Sequence, residues 1–151
     1  MSNILLIQEN KKARFDYSII ETYEAGLVLI GSEVKSLRNK DVQLKDAYIV
    51  FQGNEAFLQN AHIAEYKASS YNNHAPERRR KLLLHRKELD DIDEALREKG
   101  LSCVPLKIYF KEGRVKVEIA LAKGKKSHDK REAIKKRDVA DQIRSSLRRS
   151  R

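Results

Sequence analysis

Val104-Pro105-Leu106-Lys107-Ile108-Tyr109-Phe110-Lys111-Glu112-Gly113-Arg114-Val115-Lys116-Val117-Glu118-Ile119-Ala120-Leu121-Ala122 decides how this chain folds. In its second half Val115, Val117, Ile119 and Leu121 fall on one side of an extended backbone, and Arg114, Lys116 and Glu118 on the other. That two-residue period is the mark of a strand with one buried face. Val104 to Lys111 is apolar enough to pair with it, and Glu112-Gly113 between them reads as the turn of a β-hairpin.

The same signals recur upstream. Ala47 to Phe51 and Glu55 to Gln59 flank Gln52-Gly53-Asn54, a second hairpin. Ile4 to Ile7 is a short apolar strand, Asn10 to Arg14 a basic connector, and Phe15 to Glu21 an alternating strand. Leu27 to Ile30, bounded by Gly26 and Gly31, reads as a further strand, and Ser32 as the cap of a short helix carrying Val34 and Leu37. Tyr66 to Pro76 is polar and reads as an exposed loop. Leu89, Ile92 and Leu96 have helical spacing, which predicts a helix from Arg86 to Lys99 stopped by Gly100. Six or so strands with one substantial helix predict a mainly β fold, an OB-like antiparallel β-barrel with flanking helices. Such a barrel leaves one face and its loops free to hold nucleic acid.

Charge divides the chain differently. Residues 123–151 hold 12 of the 32 Lys/Arg and 4 of the 22 Asp/Glu, so they carry +8 of a net +10. The organisation read from this is a barrel domain over 1–122 and a basic C-terminal tail over 123–151. A near-neutral body with a cationic arm fits a polyanionic partner, because each phosphate neutralised releases condensed counterion. Val139, Ala140, Ile143 and Leu147 form a narrow apolar stripe on a helical wheel. With so little to pack against, the tail is expected to be disordered when free and helical on meeting RNA. No apolar run approaches the ~20 residues of a membrane span, and the N-terminus lacks the features of a secretory signal. The single Cys103 lies in an apolar run and reads as a buried thiol, so the chain is placed in the cytoplasm.

The search for catalytic residues gives none. His62, His74, His85 and His128 are scattered outside any metal-ligand spacing. There is no G-x-S-x-G elbow and no phosphate loop. No cofactor and no metal are therefore expected. Arg78-Arg79-Arg80-Lys81 is more informative, four cations directly before Leu82-Leu83-Leu84. Alternate residues of an extended run point opposite ways, so two of these leucines are expected in the core and one outside. An exposed leucine can stack under an unpaired base while arginines hold phosphates.

Three stretches together resemble one family. Glu24-Ala25-Gly26-Leu27 through Gly31-Ser32-Glu33-Val34-Lys35-Ser36-Leu37-Arg38 is similar to the signature of the SsrA-binding protein (small protein B) family of bacterial trans-translation. Arg80-Lys81-Leu82-Leu83-Leu84-His85 and Lys123-Gly124-Lys125-Lys126-Ser127-His128-Asp129-Lys130-Arg131 resemble two more of its motifs, in the same order. The resemblance implies an OB-like barrel that binds the tRNA-like domain of transfer-messenger RNA. It implies delivery of that RNA to stalled ribosomes with elongation factor Tu and GTP. It also implies a tail that occupies the small-subunit decoding centre and the empty mRNA channel. By the same resemblance Asn10, Glu24 and Leu83 match RNA-contacting positions, with Lys11 and Lys35 as neighbours by charge. Lys125, Lys126, His128, Asp129, Lys130 and Arg131 match the tail motif needed on the ribosome. Members often carry two bulky apolar residues near the tail's end, where this chain has Ser146-Leu147, so Leu147 alone is left for that contact.

The physical chemistry of these residues agrees. A carboxylate such as Glu24 accepts from a base amino group or a 2′-hydroxyl, which gives specificity rather than affinity. His128, flanked by cations, suits stacking on an exposed ribosomal base. The reading is an RNA-binding adaptor of trans-translation with no catalysis of its own. The alternative is a generic ribosome-associated or tRNA-binding OB-fold protein whose tail binds RNA nonspecifically.

Overall fold

The computed structural model describes residues 3–68 and 73–125. The hairpin that decides the fold is present as β8 (Ser102–Lys111) and β9 (Arg114–Gly124), paired antiparallel from Lys111↔Arg114 to Ser102↔Ala122. Glu112 and Gly113 both have positive φ, 52° and 79°. A two-residue turn of that kind matches the right-handed twist of its strands, and it needs a glycine more than any other position in the hairpin. The inward set is as expected: Val115, Val117, Ile119 and Leu121 are all buried in the main core.

Around this hairpin the chain adds β1 (Ile4–Glu9), α1 (Lys11–Asp16), β2 (Tyr17–Leu27), α2 (Gly31–Arg38), β3 (Val42–Gln43), β4 (Tyr48–Gln52), β5 (Glu55–Gln59), β6 (His62–Ile63), β7 (Arg80–Leu83) and α3 (Arg86–Glu98). Seven strands form one antiparallel sheet in the order β1-β8-β9-β2-β7-β5-β4, while β3 and β6 form a separate two-stranded ladder. The sheet curls so that β4 returns alongside β8. This is a mainly β, OB-like architecture that closes by packing, without a continuous ladder between its ends.

Four expectations need correction. The stretch from Asn10 to Arg14 is no connector: Asn10 caps α1, its Oδ1 accepting from Ala13 N at 3.2 Å. The following strand therefore begins at Tyr17 rather than Phe15, and it runs through Gly26 as one piece, so Val28 to Ile30 lie outside it. Ile30, not Ser32, occupies the cap of α2, where Glu33 reaches back to accept from Ile30 N at 2.8 Å. The stretch from Tyr66 to Pro76 is not exposed throughout. His74 in it is only 3 % exposed, held at 2.8 Å by the Ser32 hydroxyl on Nδ1 and by the Ile63 carbonyl on Nε2.

The basic run also divides. Arg80 is fully buried, its Nε donating to Glu33 Oε2 at 2.5 Å and its Nη1 and Nη2 to the carbonyls of Ala61 and Pro76. Arg78 donates to the other Glu33 oxygen at 2.6 Å. Burial pushes the Glu33 carboxyl up, but hydrogen bonds from Arg78, the Ile30 N–H and Arg80 outweigh it and hold the group below the usual carboxylate range. Leu82 is 2 % exposed and Leu84 packs against the core, whereas Leu83 is 53 % exposed, the two-in, one-out pattern that alternation requires. Cys103 is buried among apolar residues, and burial pushes its thiol up to about 12. Among the described residues no helix is long and apolar enough to cross a membrane.

Removing one partner from a buried pair strands a charge, which costs about 3–5 kcal/mol. Arg80→Met is expected to lower the unfolding free energy in urea by that amount. Its outward neighbour Lys81→Met is expected to change it by less than ~0.5 kcal/mol. Equal midpoints for the two variants would contradict this assignment.

Candidate nucleic-acid interface

Strands β7, β2, β9 and β8 present an outer face away from the main core. On β2, Ala25 is buried in the core, so Glu24 and Gly26 project outward. Gly26 pairs with Leu83 of β7. A Cβ at Gly26 would lie 3.3 Å from the Leu83 Cβ, so the missing side chain makes room for the leucine to lie across the sheet. Leu83 thus stands exposed within two residues of Glu24's position along β2.

Glu24 is held in place by β8. The Tyr109 hydroxyl donates to its Oε2 at 2.5 Å and Lys111 Nζ reaches its Oε1 at 3.2 Å. The Tyr109 bond is the main cause that lowers the Glu24 pKa; burial opposes it and Lys111 adds to it. Burial, then the bond to Glu24, raise the Tyr109 hydroxyl above its ordinary range. The carboxylate is therefore ionised and oriented, yet its side chain is still 39 % exposed, leaving lone pairs for an outside donor. Opposite it in register is Glu118, bound by Arg14 at 3.6 Å and Lys107 at 3.9 Å. Exposed pairs of this type contribute ~0–1 kcal/mol each, so their effect is arrangement rather than stability.

Helix α1 borders this face. Ala13 packs with Val104, Leu106, Ala120 and Ala122, a small cluster on the reverse side from the main core, which lays α1 on the outside of the sheet. Asn10 fixes its start: it is 3 % exposed and its Nδ2 donates to Leu44 O at 3.0 Å and Pro105 O at 2.9 Å. With its Oδ1 on Ala13 N, the side chain is fully engaged inside the protein, and it presents Lys11 in the exposed first turn. Lys125, the last described residue, donates its N–H to Asp16 O at 2.8 Å, beside the end of α1. Lys126, His128, Asp129, Lys130, Arg131 and Leu147 lie outside the described residues, as does the apolar stripe of the tail. Lys35 is apart from this face, on α2 with its ammonium 5.5 Å from the centre of the Tyr66 ring.

The structure thus brings Glu24 and Leu83 together, borders them with α1 and its Lys11, and sets Lys35 elsewhere. Sequence reading passed over Tyr109, Lys107 and Lys111 as site residues. Their signal was there: Lys107, Tyr109 and Lys111 alternate with Ile108 and Phe110, two polar cations bracketing a tyrosine on the side away from the core. Among the described residues there is no group of His, Cys, Asp or Glu suited to a metal ion.

The SmpB protein family model matches residues 7–149. The chain belongs to the SmpB family. It is 83 % identical over 149 residues to the SsrA-binding protein of Bdellovibrio bacteriovorus, covering 99 % of this chain and 98 % of that one. It is 50 % identical over 142 residues to the SsrA-binding protein of Mycolicibacterium smegmatis, covering 94 % and 88 %. A solved chain from work on tmRNA-SmpB at the centre of the bacterial ribosome is 49 % identical, with a TM-score of 0.68 over 84 % of this chain and 93 % of that one. Membership confirms the resemblance carried by the three motifs, and the solved relative confirms the fold.

The tether on Glu24 has a measurable signature. A carboxyl with a lowered folded pKa adds stability above its unfolded pKa and loses it as pH falls through the folded one. Tyr109→Phe removes the largest cause, so NMR titration of the Glu24 side chain is expected to show an acidic midpoint in the parent and a midpoint shifted upward in the variant. An unchanged midpoint would mean that Tyr109 does not hold the carboxylate.

Proposed function

We propose that this chain is the RNA-binding adaptor of trans-translation, binding the tRNA-like domain of transfer-messenger RNA and carrying it to stalled ribosomes. The observation that carries the reading is the pairing, on one outer sheet face, of an exposed leucine with an ionised carboxylate oriented by Tyr109 and Lys111. Leu83 offers an apolar surface to an unpaired base, Glu24 accepts from a base amino group or 2′-hydroxyl, and Lys111, Lys107 and Arg14 supply positive charge beside them. Lys11 extends this charge along α1. Asn10 acts through position, since its polar atoms are spent on holding α1 to the barrel. Lys35 is a second, separate cation for the RNA backbone.

The relatives' name, SsrA-binding protein, and the tmRNA-SmpB work on the ribosome support this partner. The chain acts as an adaptor and not an enzyme, in the cytoplasm where ribosomes stall. Elongation factor Tu with GTP joins through the RNA. The chain divides into a folded RNA-binding body and a basic arm, and the arm enters the decoding centre and the empty mRNA channel. There Lys125, Lys126, Lys130 and Arg131 meet phosphates, His128 stacks on a ribosomal base, Asp129 tunes that contact, and Leu147 gives the arm its one bulky apolar hold near the end.

Deleting Ser127 onward tests this division. The truncated chain is expected to keep its preference for transfer-messenger RNA over ordinary tRNA in gel shifts, while peptide tagging on stalled ribosomes falls to background. Loss of the free-RNA preference would contradict a body-borne interface.

A further inference from the structure

Of the four cations from Arg78 to Lys81, three are spoken for by carboxylates. Arg78 and Arg80 share Glu33, and Lys81 pairs with Glu55 at 3.3 Å. Arg79 has no carboxylate partner among the described residues. Its guanidinium instead lies over the Phe57 ring, the Cζ 4.0 Å from the ring centre, and its Nη2 donates to the Gln52 amide oxygen. Phe57 itself is outside both apolar core clusters, on the opposite face of β5 from the buried Ala56 and Leu58. An aromatic ring is thus left on the outer face with an exposed, charged, planar group held over it.

Register places this stack next to Leu83. Phe57 pairs with Lys81, and Leu83 follows two residues on along the same face of β7. Diagonal neighbours of that kind are about 7–8 Å apart. We propose that Arg79, backed by Phe57, is a stacking platform for an unpaired RNA base neighbouring the one that meets Leu83, a step that depends on the RNA-binding role proposed above. A guanidinium plane stacks on a nucleobase and carries a positive charge to the adjoining phosphate, and one already held over a ring and bonded to Gln52 loses less freedom on binding. An ammonium has the charge without the plane.

That difference supplies the test. Full-length wild type, Arg79→Lys, Arg79→Ala, Phe57→Leu and Leu83→Ala are titrated against transfer-messenger RNA and ordinary tRNA across a salt series, after urea melts confirm that each folds. Base stacking is worth ~1–3 kcal/mol per base, or roughly 5- to 150-fold. Arg79→Lys and Phe57→Leu are each expected to weaken transfer-messenger RNA binding within that range, with the slope of log affinity on log salt unchanged. If Arg79→Lys binds like wild type while Arg79→Ala loses affinity and about one unit of slope, the residue is a phosphate cation and the platform is overturned. Wild-type affinity in Arg79→Lys and Phe57→Leu alongside a weakened Leu83→Ala overturns the platform and leaves the binding face standing. A wild type with no preference for transfer-messenger RNA overturns the RNA-binding role itself.

Discussion

A single carboxylate with no exposed surface organises this barrel. Glu33 takes its place in the first turn of α2, where it accepts from the Ile30 N–H, and both of its oxygens meet guanidinium groups that lead into β7. Arg80 then passes the constraint on to the carbonyls of Ala61 and Pro76. Taking Glu33 and Arg80 out of water is unfavourable by several kcal/mol per ion, and their attraction, with that of the partly exposed Arg78, repays this only because nearly every donor and acceptor is matched. The arrangement is thus strict about geometry: β7 can enter the sheet in one register, and that register sets Leu83 against Gly26.

Alternation turns this internal constraint into an external surface. Along β7, Arg80 and Leu82 build the interior while Lys81 and Leu83 face outward; along β2, Ala25 is core and Glu24 is surface. These outer residues of β7 and β2 therefore each sit one peptide from a buried one. The face acquires its precision from rigid strands, and its side chains are oriented by short local partners: Tyr109 for Glu24, Phe57 for Arg79, the empty Cβ position of Gly26 for Leu83. Helix α1, fixed by a buried Asn10, borders it.

The hairpin of β8 and β9 was legible in the sequence from a two-residue period over Arg114 to Leu121, the Gly53 hairpin from its turn residues, and α3 from the helical spacing of Leu89, Ile92 and Leu96. Helix α1 was not, since six residues give less than two turns of pattern and its signal is one capping asparagine. Gly26 read as a strand boundary because glycine weakens strands; here it lies inside one, and the reason is the close approach of Leu83. The fate of Arg80 could not be read locally, as its partner Glu33 is 47 positions away. At the site, Glu24 and Leu83 came from family resemblance, and only Leu83 also had a physical signal, the odd leucine of three. Asn10 was matched as an RNA contact and is found buried, which is how a residue with a structural role can lie among those of an interface.

This outer face recognises one RNA and does more than attract polyanions if it prefers transfer-messenger RNA over an ordinary tRNA. A gel-shift titration of the full chain against transfer-messenger RNA and an ordinary tRNA, at physiological salt where the nonspecific contribution is screened, measures it directly. A preference for transfer-messenger RNA of about a hundredfold, ~2.7 kcal/mol, is expected. Equal affinity for the two RNAs would contradict it and leave a generic cationic module.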